Sequence, residues 1–481
     1  MSDLKRILIS LLIAVFVASG CEKVNPVPVP PQEEAAEEDP EVIDPIIPGG
    51  EETDDPEEGE PEDPVNPDEP ETPDDTDDFP FEVVSGSEEM FTFDKLMEVG
   101  NVTQLLPIYA LGSLYKVDSY LKKRDTGKRY MTLVLNYPST DTQGRQVWLS
   151  GRIYYSCSTS GEIINTDHIL LYNHFTISSD AECPSNSHEL HACLAANGGI
   201  LVCPDFIGYG LSRDKDHPYC VPEVTAVNAL DMVRATRAYF ASIGNKLEQD
   251  IPFYNIGYSQ GGFSALAVQK YIETHNLLDE FNLTASYCGG GPYSEETMFQ
   301  KYLKEDWCSF PLALPMAIAG LKTAYPDIMI EPMESYFSET FLKTGLLDLL
   351  FEKNTDFESY NKKVSSVLNP GGNGGVKVSS IAAPSVMNGG ELYEQLDAAL
   401  RRNELAEVGD GWEPQIYVHF MHDVNDEVVP YVNFTLAKSN LSNNNTYFES
   451  VNYKLLQGHI LVCGLFFARN ITGEYTKIEM K

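Results

Sequence analysis

The order of apolar and polar positions divides the chain into three parts. An apolar run spans 7–17, and a long segment with almost no apolar cluster follows it. From about residue 80 onward, short β-branched runs alternate with amphipathic stretches, which is typical of α/β proteins. We therefore predict an α/β domain over 80–481, built on a mostly parallel central sheet.

The first two strand-like runs of this domain, 130–136 and 147–154, flank a turn at 140–144 that contains Asp and Gly. Such a turn predicts an antiparallel hairpin at the start of the sheet. The strand-like runs that follow alternate with helical patterns, as a doubly wound parallel sheet requires. These predicted strands are 168–172, 199–203, 253–258, 283–287, 415–420 and 448–456, and the predicted helices are 224–241 and 263–271.

Between about 293 and 384 the pattern of apolar and polar positions changes to longer apolar helical stretches, such as 312–321 and 341–351. The segment ends in the glycine-rich stretch 369–375, and the strand pattern resumes after it. Because the segment interrupts the sheet pattern, we predict that 293–384 forms a helical cap above the sheet.

The first 21 residues have the layout of a bacterial export signal. Lys5 and Arg6 precede the apolar run, which is too short to span a bilayer, and small residues ending at Cys21 follow it. Cys21 stands directly after Gly20, as in a lipoprotein cleavage site, although Ala18 replaces the commoner Leu. Acyl chains on Cys21 would anchor the protein to a membrane. The alternative is an ordinary secretory signal in which Cys21 is incidental.

Residues 22–79 carry 24 acidic side chains and one basic side chain, so they hold more than half of the net charge of −40. A proline-rich acidic segment with so few apolar residues cannot bury a core, and we predict a disordered tether. The acidic balance disfavours nucleic acid and anionic lipid as partners. We expect a lipid-anchored protein of the bacterial cell envelope, in the outer membrane, that stands off from its membrane on this tether.

Eight cysteines follow Cys21, and no C-x-x-C pair occurs among them. Zinc and thioredoxin-type chemistry are therefore poorly supported, and we expect no metal and no cofactor. Cys203 and Cys288 end apolar strand-like runs and are predicted to be buried thiols. Disulfides can form in an exported chain, but the spacing does not define any pairing.

The segment Gly257-Tyr258-Ser259-Gln260-Gly261 fits the G-x-S-x-G pattern and lies between a predicted strand and a predicted helix. In so tight a turn, side chains at positions 257 and 261 would collide, and the turn presents the serine above the edge of the sheet. A match to so short a pattern is weak by itself. Its place between strand and helix favours Ser259 as a nucleophile.

An acid is expected in the loop after the predicted strand 415–420. This loop resembles the HG-x-x-D-x-V-P stretch of many α/β hydrolases, and that register makes Asp426 the acid and puts Asp423 at the usual glycine position. Asp423 stays open as the alternative acid. If the loop supplies no catalytic acid, it is a solvated acidic turn or a cation loop of Asp423, Asn425 and Glu427. The glycine that an EF-hand loop requires is absent.

His459 follows the last predicted strand and directly precedes an apolar helical stretch, 460–468. That is where a chain with the order nucleophile, acid, base places its histidine, so we predict His459 as the base. His419 and His422 are too close to the acid loop for this role, and a core or loop role is predicted for both.

An oxyanion hole usually combines two backbone N–H groups, one of them from the residue after the nucleophile, which here is Gln260. The second is expected in the loop that follows the predicted strand 168–172. We assign Thr176, with Phe175 and Ile177 as alternatives, and the Thr176 hydroxyl adds a further donor.

These features, together with the stretches 205–210 and 288–292, resemble the secretory-lipase branch of the α/β hydrolases, similar to lipase A. The likeness covers about 125–470, and within the cap it extends only to position and helical character. It implies hydrolysis of carboxylic esters, including acylglycerols, without a cofactor. The tether and the anchor lie outside the resemblance.

Two other functions share part of this pattern. A serine peptidase of the same fold would use the same three residues, although 80–165 is too short for the propeller domain of prolyl-type peptidases. A non-catalytic surface binding protein on a hydrolase scaffold would be expected to have lost one of Ser259, Asp426 and His459, and none is lost. The sequence favours an esterase or lipase that acts on a small-molecule or lipid ester.

Overall fold

A ten-stranded mixed sheet forms the centre of the molecule in a computed structural model, which describes residues 78–100, 117–188, 190–372, 374–406, 411–453 and 457–473. The strands are β1 (Glu82–Val83), β2 (Glu89–Phe91), β3 (Arg129–Thr140), β4 (Gln146–Cys157), β5 (Ile169–Asn173), β6 (Ile200–Pro204), β7 (Phe253–Tyr258), β8 (Leu283–Gly289), β9 (Tyr417–Asp423) and β10 (Thr446–Val451). Cys21 and most of the predicted tether lie outside the described residues.

The strand order is β1-β3-β4-β6-β5-β7-β8-β9-β10, and β2 pairs with β3. The pairs that involve β1 to β4 are antiparallel, and every pair among β5 to β10 is parallel. The sheet is therefore mostly parallel after an antiparallel hairpin of β3 and β4, which confirms the predicted fold class. The carboxyl ends of β5, β7, β8 and β9 meet at one edge, where open α/β sheets bind their ligands.

Sixteen helices are seen in the described part of the chain. They are α1 (Phe93–Val99), α2 (Val117–Lys122), α3 (Leu190–Ala195), α4 (Pro222–Ser242), α5 (Gln260–Thr274), α6 (Leu278–Phe281), α7 (Glu295–Glu305), α8 (Ala313–Ala324), α9 (Glu339–Leu342), α10 (Leu346–Phe351), α11 (Phe357–Leu368), α12 (Val378–Ile381), α13 (Pro384–Met387), α14 (Glu391–Arg402), α15 (Val432–Leu441) and α16 (His459–Thr472). None of these helices is long and apolar enough to cross a bilayer.

Helices cover both faces of the sheet, because alternate side chains of a strand point to opposite faces. In β6, Ile200 and Val202 pack into a core cluster with α4 and α5, whereas Leu201 and Cys203 pack into a second cluster with α16. Continuous apolar runs such as this one are expected of strands that are buried on both sides.

Helices α7 to α14 form an insertion between β8 and β9, and we refer to 295–402 as the helical insertion. Its apolar faces share a core cluster with Phe263 and Leu266 of α5, so the insertion packs directly on the helix that follows β7. It continues beyond the predicted cap, since α14 ends at Arg402. The helical stretch predicted at 341–351 is broken at Gly345, whose φ of 69° ends one helix before α10 begins.

The eight cysteines after Cys21 are all free thiols in the structure. Cys203 and Cys288 are fully buried, as predicted from their places at the ends of apolar strands. Burial raises the pKa of both thiols, so neither has the character of a reactive thiolate.

Candidate active site

Ser259 occupies a strained turn between β7 and α5. Its φ of 60° and ψ of −124° are unusual for a residue with a side chain and are typical of functional sites. A Cβ at Gly257 would lie 2.0 Å from the Gly261 carbonyl oxygen, and a Cβ at Gly261 would lie 2.2 Å from the Asn173 carbonyl oxygen. Only glycine fits at these two positions, and the turn therefore depends on both.

The same turn is fixed from its other side by β8. The Ser259 N–H donates to the Gly289 carbonyl oxygen at 2.8 Å, and a Cβ at Gly262 would come within 2.3 Å of that oxygen. The backbone around the serine is thus held by the ends of two neighbouring strands.

His459 and Asp426 form a buried pair. His459 is the first residue of α16, and its Nδ1 lies 2.6 Å from Oδ2 of Asp426. The other carboxylate oxygen, Oδ1, accepts hydrogen bonds from the N–H groups of Val428 at 2.9 Å and Val429 at 2.7 Å. Burial alone would raise the pKa of Asp426, but the His459 imidazole, His422 and the hydrogen bond from the Val429 N–H together outweigh burial, and the pKa lies below its ordinary value. Asp426 is therefore a carboxylate that holds one nitrogen of the imidazole.

The second imidazole nitrogen, Nε2 of His459, is buried and has no hydrogen-bond partner among the described residues. His459 and Ser259 line the same cavity. The backbone of His459 is held in place, since the Tyr258 hydroxyl donates to its carbonyl oxygen at 3.0 Å and Glu427 Oε2 accepts its N–H at 3.1 Å. The imidazole thus has one nitrogen bound by a carboxylate and the other available in the cavity of the serine.

Asp423, the alternative acid, bonds to backbone and not to the imidazole. Its Oδ1 accepts the Asn425 N–H at 3.1 Å, and its Oδ2 accepts the N–H of Gly458. It connects the end of β9 to the residue before His459. The described residues contain no group of three or more His, Cys, Asp or Glu side chains placed to hold a metal ion.

Two cavities meet at Ser259. The larger has a volume of about 260 Å³ and includes His459, and the smaller has a volume of about 40 Å³ and extends beneath the helical insertion. Thr176, Phe310 and Val428 line both cavities together with Ser259. Ser259 is therefore accessible from two cavities of different size, one wide and one narrow.

The residues predicted for the oxyanion hole lie beside the serine. Gln260 is the first residue of α5, where the N–H has no intrahelical acceptor. Thr176 lines both cavities, and its Oγ1 lies 2.8 Å from the hydroxyl of Tyr219. Phe175 lines only the larger cavity, whereas Ile177 lines neither of the two. Thr176 thus shares both cavities with Ser259, and Gln260 directly follows Ser259 in the chain.

Several residues of this region were not foreseen from the sequence. Tyr219 and Glu295 line the smaller cavity. His217 fixes the Gln260 side chain, with 3.0 Å between its Nε2 and the amide Nε2 of Gln260. Burial lowers the pKa of His217 to about 3, so this imidazole is neutral and accepts the amide proton. None of these residues belongs to a motif, because each reaches the site through tertiary packing.

Comparison with known proteins supports the architecture. No family model and no curated protein matches the sequence. Among solved structures, the rice cell wall degrading esterase LipA from Xanthomonas oryzae is 21% identical, with 82% of this chain and 95% of that chain covered and a TM-score of 0.59. Lipase A from Candida antarctica in its closed state is 16% identical, with 83% and 86% covered and a TM-score of 0.50. Together with the strand order, these similarities show that the chain has the α/β-hydrolase fold.

Proposed function

We propose that this protein is a serine carboxylic ester hydrolase with Ser259 as nucleophile, His459 as base and Asp426 as the acid that orients the base. The observation that carries the proposal is the imidazole of His459, bound through Nδ1 to Asp426 at 2.6 Å, with its unpartnered Nε2 in the cavity that Ser259 lines. The fold that this chain shares with an esterase and a lipase supports the same reaction class.

In the first half of the reaction, Ser259 Oγ bonds to the ester carbonyl carbon while its proton passes to His459 Nε2. Asp426 stabilises the imidazolium that forms. The backbone N–H groups of Gln260 and Thr176 donate to the negative oxygen of the tetrahedral intermediate. The bond to the alcohol oxygen then breaks, the imidazolium donates its proton to that oxygen, and an acyl-enzyme remains.

In the second half, a water molecule gives a proton to His459 Nε2 and its oxygen attacks the acyl carbon. Collapse of the second tetrahedral intermediate breaks the bond to Ser259 Oγ, which regains its proton from the imidazolium. The carboxylic acid leaves and the enzyme is restored. No step requires a metal or a cofactor.

A substrate panel tests the reaction class. Wild-type protein and the Ser259→Ala variant are assayed with p-nitrophenyl esters of increasing acyl length, beside an aminoacyl anilide. We expect ester hydrolysis by wild type and none above background by the variant. Cleavage of the anilide in preference to the esters would instead identify a peptidase, and binding without turnover of either would identify a non-catalytic scaffold.

We also propose that lipid on Cys21 holds the enzyme in the bacterial envelope, with the acidic segment as a spacer. Support comes from the apolar run, the small residues before Cys21 and the charge of 22–79. The Cys21→Ser variant, expressed in a bacterial host that processes lipoproteins, is expected to leave the detergent phase and the membrane fraction. Unchanged partitioning would favour a plain secretory signal.

A further inference from the structure

One acidic side chain lies in the wall of the smaller cavity. Glu295, the first residue of α7, is 4% exposed and lines this cavity together with Ser259. Its Oε2 accepts a hydrogen bond from Asn403 Nδ2 at 3.0 Å, and the thiol of Cys220 donates to its carboxyl group. No basic side chain of the described residues pairs with it. A buried carboxyl group without a cation has to be explained.

Burial without a cation favours the neutral form and raises the pKa of Glu295 to about 8. Near pH 7 the group is therefore mainly a carboxylic acid, which has an O–H donor as well as acceptor oxygens. The rest of the cavity wall consists mainly of apolar side chains from the helical insertion, including Met298, Phe299 and Leu314. A carboxyl group in a mostly apolar wall fixes the orientation of whatever binds there.

The size of this cavity limits what can bind. A water-sized group needs about 10–15 Å³, so a volume of about 40 Å³ holds roughly three such groups. An acyl group attached to Ser259 that extends into this space is therefore short. Its far end lies between Glu295 and the apolar side chains of α7 and α8.

We propose that the smaller cavity is the acyl pocket and that Glu295 makes it selective for short acyl groups with a hydroxyl or oxo oxygen on carbon 2 or 3. The proposal rests on the ester hydrolase function proposed above. A hydroxyl on the acyl chain donates to or accepts from the Glu295 carboxyl group, and an oxo group accepts its proton. An acyl group of the same size without oxygen leaves the O–H of the buried carboxylic acid without an acceptor from the substrate, which costs binding energy in the transition state.

The test uses pairs of p-nitrophenyl esters with matched acyl size. The glycolyl ester is compared with the propionyl ester, and the 3-hydroxybutyryl ester with the 3-methylbutyryl ester. The ratio of kcat/KM within each pair is measured for wild type and for Glu295→Met. Because the intrinsic reactivity of each ester is the same for every variant, the change in the ratio reports only the protein's preference.

We expect the hydroxyl preference of wild type to exceed that of Glu295→Met by about 10-fold to 100-fold for at least one pair. Glu295→Gln, which keeps hydrogen-bonding groups, should retain much of the preference. Glu296→Gln is the matched control, since Glu296 is adjacent in sequence and pairs with Arg401 outside the cavity wall, and its ratio should equal that of wild type. Equal ratios in wild type and Glu295→Met would overturn the proposal.

The results distinguish the role of Glu295 in acyl selectivity from the ester hydrolase function. If Ser259 reacts with a fluorophosphonate and all four esters are hydrolysed with the same ratios in every variant, Glu295 has no role in selectivity and the ester hydrolase function stands. If Ser259 is not labelled and no ester is cleaved, both proposals fall. Glu295→Leu provides a second apolar variant, and thermal melting selects the variant that folds for the comparison.

Discussion

Nδ1 of His459 lies 2.6 Å from Oδ2 of Asp426, and both side chains are almost fully removed from solvent. Charge-assisted hydrogen bonds of this length are strong, and burial shields them from screening by salt. Because Nδ1 is held by the carboxylate, the proton that the imidazole accepts during a reaction must go to Nε2. This pair therefore sets both the tautomer and the direction in which the histidine acts.

Replacement of Asp426 by Asn should lower kcat by about 10³-fold to 10⁴-fold, because an amide no longer stabilises the imidazolium and favours the wrong tautomer. Asp423→Asn is the matched change three residues earlier, at the end of β9. It weakens contacts to the N–H groups of Asn425 and Gly458 and should reduce stability by about 1 kcal/mol, with a much smaller effect on kcat. Steady-state kinetics of both folded variants decides the assignment. A large loss for Asp423→Asn with near-normal turnover for Asp426→Asn would reverse it.

Alanine at position 257 should destabilise the protein by several kcal/mol, because the new Cβ would lie 2.0 Å from a backbone oxygen that belongs to the serine turn. Thermal melting measures the effect. Gly244→Ala is a suitable control, since Gly244 has a φ of 75° but open space around its Cβ position. The Gly244→Ala variant should lose only about 1–2 kcal/mol of stability, which is the cost of a residue with a side chain in the left-handed conformation. Equal losses of stability in the two variants would show that the short distance between the new Cβ at 257 and the backbone oxygen has no destabilising effect.

Glu295 should make the stability of the folded protein depend on pH. Its pKa is about 8 in the folded protein and near 4.5 when exposed, so the native state binds more protons than the unfolded state between these values. Stability therefore falls as pH rises from 5 to 8. The titratable groups that face Glu295 are Tyr219, Cys220, Tyr325 and Glu404.

The Glu295→Gln variant removes this titration, and its melting temperature should decline less than that of wild type between pH 5 and pH 8. Glu296→Gln, which changes a more exposed carboxylate, should follow the wild-type curve. Parallel curves for wild type and Glu295→Gln would contradict the raised pKa of Glu295.

Local requirements explain why much of this arrangement could be predicted from the sequence. The turn at Ser259 needs glycine at 257 and 261 wherever it occurs, so its pattern is visible without tertiary information. The alternation of strands and helices likewise fixed the sheet type, since a parallel strand needs a crossover connection. His459 was identifiable because it follows the last predicted strand and begins an apolar helix.

Other parts depend on distances that the sequence does not contain. Asp423 ends β9 and Asp426 lies in the loop that follows, and only the path of that loop decides which carboxylate contacts the imidazole. Glu295 and Tyr219 are far from Ser259 along the chain, and both line its cavity through tertiary packing, Glu295 from the helical insertion and Tyr219 from the segment before α4. The break at Gly345 was missed because a residue with positive φ interrupts an otherwise continuous helical pattern.

The most direct test of Ser259 as the nucleophile is the site at which a fluorophosphonate reacts. Wild-type protein is treated with the probe, digested and analysed by peptide mass spectrometry, and Ser259→Ala and His459→Ala are treated in parallel. We expect a single adduct on Ser259, no adduct in Ser259→Ala, and labelling slowed by several powers of ten in His459→Ala. An adduct on another residue, or equal labelling of wild type and Ser259→Ala, would contradict it.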